Sequence, residues 1–265
     1  MNMEIELIEA DKKNNRLTFL LKGSEPSFAN AIRRAAIEEV PTMAIEDVEL
    51  RKNSSVLYDE MVAHRMGLVP LTTDLKSYNL PEKCKCNGEG CARCQVKMTI
   101  KATGPGYVYA SQLESKDPKI KPVYGEMPIA KLLKGQKLEA EATASLGRGK
   151  AHMKWSPGLV YYRFKPEVKI GNVHNPEAVA KACPPGVFEV KSGKLVVNED
   201  ELLKHDLAGC AEKASGGTVT VEENPSEFIF TVESWGQLDC KEIIEQAADE
   251  FQEQLNQLQE ILKEK

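Results

Sequence analysis

The 265-residue sequence contains no run of about 18 apolar residues, which is the length that a membrane-spanning helix needs. Its first residues also lack the basic start and the apolar block of a secretory signal peptide. We therefore expect a cytoplasmic protein without a membrane span. The chain is long enough for two or three substructures with buried cores.

Familiar catalytic motifs are also missing from the sequence. It has no phosphate-binding P-loop, no Gly-x-Ser-x-Gly nucleophile turn and no Asp-x-Asp triplet for magnesium ions. Its four histidines are scattered along the chain, and a lone histidine is more often a structural residue. We predict that this chain carries no catalytic residue of its own.

The net charge of −5 argues against a dedicated nucleic-acid clamp, because such a surface is basic. The charges are nevertheless unevenly spread. Between Lys116 and Lys165 the sequence has eleven basic and four acidic residues, a local excess of seven positive charges. This segment is interpreted either as a solvated lysine-rich surface or as a patch that meets an acidic partner or nucleic acid.

The segment Ser24–Pro41 has the pattern of an amphipathic helix. Ser24 is a candidate N-cap, Pro26 is tolerated in the first turn, and Pro41 disfavours a helical residue before it. The polar surface includes the Arg33–Arg34 pair, whose forked donors suit carboxylates. The helix is interpreted either as an ordinary helix packed on a sheet or as a contact surface for another chain.

Alternating apolar residues predict that strands dominate the first 170 residues, with a hairpin over 3–22 and a short helix over 59–67. Residues 171–222 contain an approximate repeat of helix and strand, which indicates a separate small unit. The further strands are predicted at 44–50, 96–101, 139–145, 159–170, 187–190, 195–197, 219–221 and 228–232, and the helices of the small unit at 176–182 and 200–207.

Residues 239–265 are predicted to form a second long helix with Asp239 as its cap. Apolar residues at steps of three and four give it a narrow seam between polar sides. The seam consists of Ile244, Ala247, Phe251, Leu255, Leu258 and Leu262. Such a seam either packs on the first sheet of the same protein or meets another chain.

Four of the seven cysteines are spaced as metal ligands, in the pattern Cys84-x-Cys86-x4-Cys91-x2-Cys94. Four thiolates within eleven residues, with glycines between them that let the loop wrap, suit a tetrahedral ion. Zinc is the expected ion because it favours four soft ligands and closes structural sites. The alternative is a pair of disulfides, as found in some hyperthermophile proteins. We call the segment from Cys84 to Cys94 the four-cysteine loop.

Four strings of this sequence resemble, in the same order, strings of the alpha-like subunits of cellular RNA polymerases, in particular those of archaea. The strings are Phe28–Arg34 with the later Val40–Pro41, then Ala63–Leu71, Gly147–Pro157 and Asn224–Gly236. The resemblance covers nearly the whole chain. It implies an α+β fold in which a discontinuous alpha-type dimerisation domain carries an inserted β-rich domain and an inserted ferredoxin-like domain.

By this resemblance the dimerisation domain comprises 1–40 and 223–265, the β-rich insert with the four-cysteine loop 41–170, and the ferredoxin-like domain 171–222. The family's role is a non-catalytic assembly platform that heterodimerises with the small subunit L, recruits subunits N and P, and docks the large catalytic subunits. DNA is then met only through the assembled enzyme. The expected partner-binding residues are Phe28, Asn30, Arg33, Arg34, Phe251, Leu255, Leu258 and Leu262.

Within that set, the two arginines are expected to contact a large subunit and the C-terminal seam to contact subunit L. The magnesium site of the family lies in the largest subunit. The four-cysteine loop resembles the zinc loop of the eukaryotic counterpart, with a middle spacing that differs by one residue.

Some members of the family bind iron–sulfur clusters in the ferredoxin-like domain through runs of four cysteines that end in Cys-Pro. Here only Cys183, followed by Pro184, and Cys210 remain in that region. Two ligands are too few, so we predict that the cluster is absent. The pair is interpreted as a disulfide or as residues of the core, and Cys240 as a packed free thiol.

Two other functions stay open at this point. A redox protein would need a cluster in the small unit, and the missing cysteines speak against it. A stand-alone zinc protein that binds nucleic acid would fit the four-cysteine loop and the local positive charge, but the acidic total makes it the weaker hypothesis.

Overall fold

The computed structural model describes residues 3–207 and 209–263. It confirms the predicted mixture of α-helices and β-sheets. Along the described residues the elements are β1 (Glu4–Asp11), β2 (Arg16–Lys22), α1 (Pro26–Glu38), β3 (Pro41–Asn53), α2 (Asp59–Gly67), β4 (Gln95–Thr103), β5 (Gly106–Tyr109), β6 (Glu114–Ser115), β7 (Pro128–Leu132), β8 (Lys137–Arg148), β9 (Gly158–Ile170), α3 (Pro176–Ala182), β10 (Phe188–Lys191), β11 (Lys194–Val197), α4 (Glu199–Lys204), α5 (Cys210–Ser215), β12 (Val219–Ser234) and α6 (Cys240–Lys263).

The chain divides into two compact units. The first comprises the N-terminal strand up to Lys12, then Leu17–Asn30 and Tyr161–Thr231. The second comprises Lys13–Arg16, Ala31–Val160 and the chain from Val232 onwards. No helix in the described ranges 3–207 and 209–263 is both long and apolar enough to cross a membrane.

The first unit contains most of a four-stranded sheet with the order β1-β2-β12-β9. Aromatic side chains fill its core, because alternate residues of neighbouring strands point to the same face. The rings of Phe19 and Phe230 stack with centroids 5.1 Å apart, and Tyr162 contacts Phe228 edge-on at 5.4 Å. The predicted strands at 219–221 and 228–232 are one continuous strand, β12, which runs through Pro225. Beside this proline the side chain of Asn224 accepts from the Ser226 N–H at 2.9 Å.

The small segment of the first unit after β9 has its own apolar core, around Val179, Val187 and Leu202. Helix α3 has the predicted bounds, and the β10–β11 hairpin lies within one residue of its prediction. Helix α4 ends at Lys204, three residues earlier than predicted. Helix α5 was not predicted, because six residues between two left-handed glycines are too few to show helical periodicity.

The second unit is built on the sheet β3-β8-β4-β6, in which every neighbouring pair is antiparallel. Its central strand β8 alternates strictly, with Leu138, Leu146 and three alanines between them buried against the core. Small side chains on a central strand leave room for bulky residues from α2 and from β4, such as Met66 and Met98. The predicted strands 44–50, 96–101 and 139–145 are therefore confirmed, each within a longer strand.

Helix α1 begins one residue later than a cap at Ser24 would set. The N–H of Ala29 donates to the carbonyl of Glu25 at 3.0 Å, which makes Glu25 the residue before the first turn. The Ser24 N–H instead donates to the carbonyl of Ser226 at 3.2 Å. The predicted stop is confirmed, because the helix ends at Glu38 and Pro41 already begins β3.

Helix α6 begins directly after Asp239, whose carbonyl accepts from the Ile243 N–H at 3.0 Å. Its first half is anchored by Ile243 and Ala247, which are fully buried. Its second half is largely exposed to solvent: the exposed fraction of the leucine side chains rises from 40% at Leu255 to 66% at Leu262. Residues 264–265 of the predicted helix lie outside the described residues.

Asp74 holds together the segment that leads from β3 and α2 towards the cysteine loop. Its carboxylate accepts from the backbone N–H groups of Lys76 and Ser77 at 3.0 and 3.1 Å, from the Ser77 hydroxyl at 2.8 Å and from Lys119 Nζ at 2.7 Å. The hydrogen bond from Lys119, followed by that from Ser77, lowers the pKa of Asp74 well below its ordinary value.

We expect Asp74→Asn to lower the free energy of unfolding by about 2 kcal/mol at neutral pH. Because folding lowers the pKa of Asp74, its ionised form stabilises the fold above the unfolded-state value of about 4. That stabilisation is lost as the pH falls through the lower folded-state value. Urea unfolding should therefore show a difference in the free energy of unfolding between variant and wild type. This difference should be largest at neutral pH and shrink below about pH 4.

The control for this series is Asp249→Asn, at an exposed position of α6. It should match the wild type throughout. If the difference in unfolding free energy between Asp74→Asn and the wild type stayed constant below about pH 4, the role given to the ionised Asp74 carboxylate would be contradicted.

Candidate metal centre and interaction surfaces

The four cysteines of the predicted ligand set lie on one loop between a short 3-10 turn at Pro81–Lys83 and strand β4. Their four sulfur atoms all lie within 4.8 Å of one another. The Sγ atoms of Cys84 and Cys91 are 3.6 Å apart, those of Cys86 and Cys94 are 3.5 Å apart, and Cys91 to Cys94 measures 3.8 Å. The structure thus brings all four residues together as the spacing predicts.

These distances fit a single tetrahedral ion. Zinc with sulfur ligands at about 2.3 Å requires sulfur atoms about 3.8 Å apart. Two glycines make the loop compact enough, since Gly88 and Gly90 adopt φ values of 84° and 95° that side chains disfavour. A Cβ atom at Gly90 would also collide with the side chain of Gln95.

The surroundings of the thiols differ. Hydrogen bonds from Cys84 and from the backbone of Gly90 lower the pKa of Cys86, which favours its thiolate. Burial raises the pKa of Cys94 to about 12, so this thiol stays neutral at pH 7 unless a cation compensates its charge. The loop therefore combines one thiol whose surroundings favour ionisation with a buried one whose negative charge a bound cation would compensate.

Two ion pairs connect this region with α6. Lys83, directly before the first cysteine, contacts both carboxylate oxygens of Glu253 at 2.8 Å. Arg148 at the end of β8 contacts Glu250 at 2.9 Å, Glu82 at 3.3 Å and Glu39 at 3.8 Å. The Arg148 side chain is only 23% exposed, which makes it the centre of a half-buried ion-pair cluster.

The strand end that carries Arg148 approaches its neighbours closely. A Cβ atom at Gly147 would overlap the ring of Trp155, and one at Gly149 would overlap the carbonyl oxygen of Ile37. Small residues at these two positions let the turn pack against Trp155 and against the end of α1. This close packing is the physical reason for the glycines in the string Gly147–Pro157. The string is not a phosphate-binding turn, because it leads from a strand into a short 3-10 turn and not into an α-helix.

We expect Arg148→Ala to lower the free energy of unfolding by about 2 kcal/mol, because it leaves the half-buried carboxylate of Glu250 without its cation and removes one of the two cations beside Glu39. Urea unfolding followed by circular dichroism measures this. The control is Arg51→Ala, which removes an exposed ion pair with Glu141 and should leave the free energy of unfolding nearly unchanged. Equal effects of the two variants would show that the cluster adds nothing.

The partner-binding residues predicted on α1 differ in exposure. Asn30 and Arg34 are exposed, whereas Phe28 and Arg33 are half-buried. Arg34 donates to both carboxylate oxygens of Glu38 at 3.0 and 3.3 Å, which raises its pKa. Its guanidinium is therefore held against its own helix.

The second half of α1 and the middle of α6 line a common groove of about 340 Å³. Arg34 and Glu38 lie on one side of it and Phe251 on the other. Beyond the groove the predicted seam continues as exposed apolar side chains: Leu255 at 40%, Leu258 at 53% and Leu262 at 66% exposed. The structure adds Ile261 at 59%, which the sequence prediction missed because the seam was drawn too narrow.

The remaining cysteines lie elsewhere. Cys183 and Cys210 form a disulfide with a Cα–Cα distance of 5.4 Å, between the end of α3 and the start of α5, and Cys183 is also part of the buried core there. Cys240 is a half-buried free thiol that donates to the carbonyl of Asn15 at 3.0 Å. Burial raises its pKa.

The positive charge of the segment Lys116–Lys165 is partly neutralised in the fold. Within the described part of the chain, five of its eleven basic residues form ion pairs with carboxylates. They are Lys119 with Asp74, Arg148 with three glutamates, Lys150 with Glu39, Lys154 with Glu46 and Lys165 with Glu227.

Comparison with known proteins agrees with this fold. A family model described as the RNA polymerase Rpb3/RpoA insert domain matches residues 44–158. The chain is 38% identical to the DNA-directed RNA polymerase subunit Rpo3 of Methanosarcina mazei, over 99% of both chains. It is 36% identical to subunit Rpo3 of Pyrococcus furiosus, over 97% of this chain and 98% of the relative, and 34% identical to that of Archaeoglobus fulgidus, over 100% and 99%.

An α+β chain with this insert domain is an alpha-like component of a DNA-directed RNA polymerase. More specifically, the chain belongs to the family of the archaeal polymerase subunit Rpo3. The resemblance inferred from the four strings is thereby confirmed.

Proposed function

We propose that this chain is a non-catalytic assembly platform of the polymerase and that it heterodimerises with the small subunit L. The observation that carries the proposal is the row of exposed leucines on the outer half of α6, which continues from the groove between α1 and α6. Exposed apolar rows of this kind mark surfaces that another chain covers. The surface of subunit L that fits them is an apolar helix face.

The domain arrangement is part of the same proposal. Residues 1–40 and 223–265 form the discontinuous dimerisation domain, 41–170 the β-rich insert domain and 171–222 the ferredoxin-like domain. Recruitment of subunits N and P and docking of the large catalytic subunits follow from the family role, with Arg33 and Arg34 of α1 as the contacts for a large subunit. DNA is met only through the assembled enzyme in the cytoplasm, and nucleotide addition uses residues of the large subunits.

We further propose that the four-cysteine loop holds a structural zinc ion. Cys84, Cys86, Cys91 and Cys94 supply four sulfur ligands at tetrahedral separations, and such a set leaves no open coordination position for a reaction. When bound, zinc cross-links the two ends of the loop. An iron–sulfur cluster is not expected, since the ferredoxin-like region supplies only Cys183 and Cys210 and these are joined to each other.

Native mass spectrometry of the full chain co-expressed with subunit L tests the platform role, with elemental analysis of the same sample for zinc and iron. The expected result is a one-to-one heterodimer with one zinc and no iron. A chain that stays monomeric in the presence of subunit L would refute the platform role. Stoichiometric iron would favour a redox function instead, and salt-sensitive DNA binding by the isolated chain would favour a nucleic-acid-binding function.

A further inference from the structure

Two ion-pair links join the base of the four-cysteine loop to the middle of α6. Nζ of Lys83 lies 2.8 Å from both carboxylate oxygens of Glu253. One turn earlier on the same helix, Glu250 lies 2.9 Å from Nη2 of Arg148, whose Nη1 is 3.3 Å from Glu82. The first link begins at Lys83 and the second includes Glu82, and these two residues directly precede Cys84. Both links end on α6.

The outer half of α6 has few other contacts. Among the described residues after Phe251, Glu253 alone is half-buried, and all others up to Lys263 are exposed. A helical segment of this length is only marginally stable by itself in water. Its order and direction therefore depend strongly on the contacts that Glu250 and Glu253 make.

The base of the loop in turn depends on the metal. Without a cation, only weak hydrogen bonds between thiols link the four sulfur atoms, which lie less than 4 Å from their nearest neighbours. Backbone hydrogen bonds, such as that from the Asn79 N–H to the Arg93 carbonyl at 2.8 Å, hold the rest of the loop. With zinc bound, the four sulfurs lock the eleven residues of the loop, and so also the position of Lys83 directly before it. The ion pair with Glu253 transmits that position to the helix.

We propose that zinc binding in the four-cysteine loop and the docking of the outer half of α6 are coupled through Lys83 and Glu253. This inference rests on the zinc centre of the proposed function. Zinc orders the segment that carries Leu255, Leu258 and Leu262, so the metal controls the availability of the leucine row for a partner. By linkage, weakening the Lys83–Glu253 contact weakens zinc binding by the same factor as zinc strengthens the contact.

The size of the effect follows from the exposure of the pair. Lys83 and Glu253 are each more than 40% exposed, so their interaction is screened by water. We therefore expect Glu253→Gln to weaken zinc binding by roughly two- to fivefold. Glu253→Gln keeps the size and helix propensity of the side chain and removes only its charge.

The test uses the full chain and zinc alone, with affinity measured by competition against a chromogenic chelator. The matched control is Glu245→Gln, which removes the same charge from an exposed pair with Lys241, 3.3 Å away on the same helix. The control should bind zinc like the wild type. The double exchange Lys83→Glu with Glu253→Lys should recover most of the affinity that Lys83→Glu alone loses.

Hydrogen–deuterium exchange supplies the second readout. Removal of zinc should speed exchange in residues 250–263 and leave the β10–β11 hairpin unchanged. Wild-type affinity in Glu253→Gln together with zinc-independent exchange in 250–263 would overturn the coupling while leaving the zinc centre intact. A wild-type chain that binds no zinc would overturn both the zinc centre and the coupling.

Discussion

Cys94→Ser is expected to abolish stable zinc binding by the full chain. Cys94 is the most buried of the four cysteines, and its sulfur lies within 4 Å of those of Cys86 and Cys91. A serine hydroxyl does not ionise at neutral pH and is a poor zinc ligand, so a closed four-sulfur site becomes an incomplete three-sulfur site. We expect the zinc affinity to fall by at least about a thousandfold, which corresponds to about 4 kcal/mol.

The measurement is zinc content after dialysis, together with chelator competition. Cys240→Ser is the matched control, because it changes another thiol of the second unit that lies outside the four-cysteine loop and donates to a carbonyl that a hydroxyl can also reach. It should retain one zinc per chain. A Cys94→Ser chain that keeps one zinc at wild-type affinity would exclude the four-sulfur centre.

The second large effect is expected at the leucine row. Leu258→Glu places a charge at the centre of the apolar surface between Leu255 and Leu262, where a partner helix would have to desolvate it. We expect binding of subunit L to weaken by at least about a hundredfold, or about 3 kcal/mol. Because Leu258 is 53% exposed in the isolated chain, the variant itself should fold normally.

Isothermal titration with purified subunit L measures this loss, and circular dichroism checks the fold. The control is Asn256→Glu, which adds the same charge to the same helix on its opposite side, since two residues correspond to about 200° of helical rotation. It should bind subunit L with nearly wild-type affinity. Equal losses in the two variants would mean that charge on α6, and not the leucine row, governs binding.

Several elements could be predicted from the sequence because their causes are local. Helix α3 has its predicted bounds, since Asn175 caps it and Cys183-Pro184 ends it. Helix α1 shows the limit of such reasoning. Serine is the better cap by its side chain, so the sequence favours Ser24 over Glu25. Only the tertiary structure shows that the Ser24 N–H donates to the carbonyl of Ser226 on β12 and that the helix starts one residue later.

The cluster of four cysteines was predictable for the same reason. The loop itself brings four cysteines within eleven residues together, so their spacing predicts that their sulfur atoms lie close to one another. The ion-pair cluster was not predictable, because Arg148 meets Glu39, Glu82 and Glu250 from three distant parts of the chain. No spacing rule joins residues that far apart.

The sequence by itself determined the membership of the RNA polymerase family, the α+β class, the two long helices and the group of four cysteines that are spaced as metal ligands. Each of these depends on local patterns or on strings that can be compared directly. The tertiary structure decided which half of α6 is buried and which is exposed, that Cys183 pairs with Cys210, and that Lys83 and Glu253 connect the cysteine loop to the helix. The physical reason is that burial and ion pairing depend on which distant segments pack against each other. Helical periodicity shows which side of a helix is apolar, but it does not show how much of that side a neighbouring segment covers.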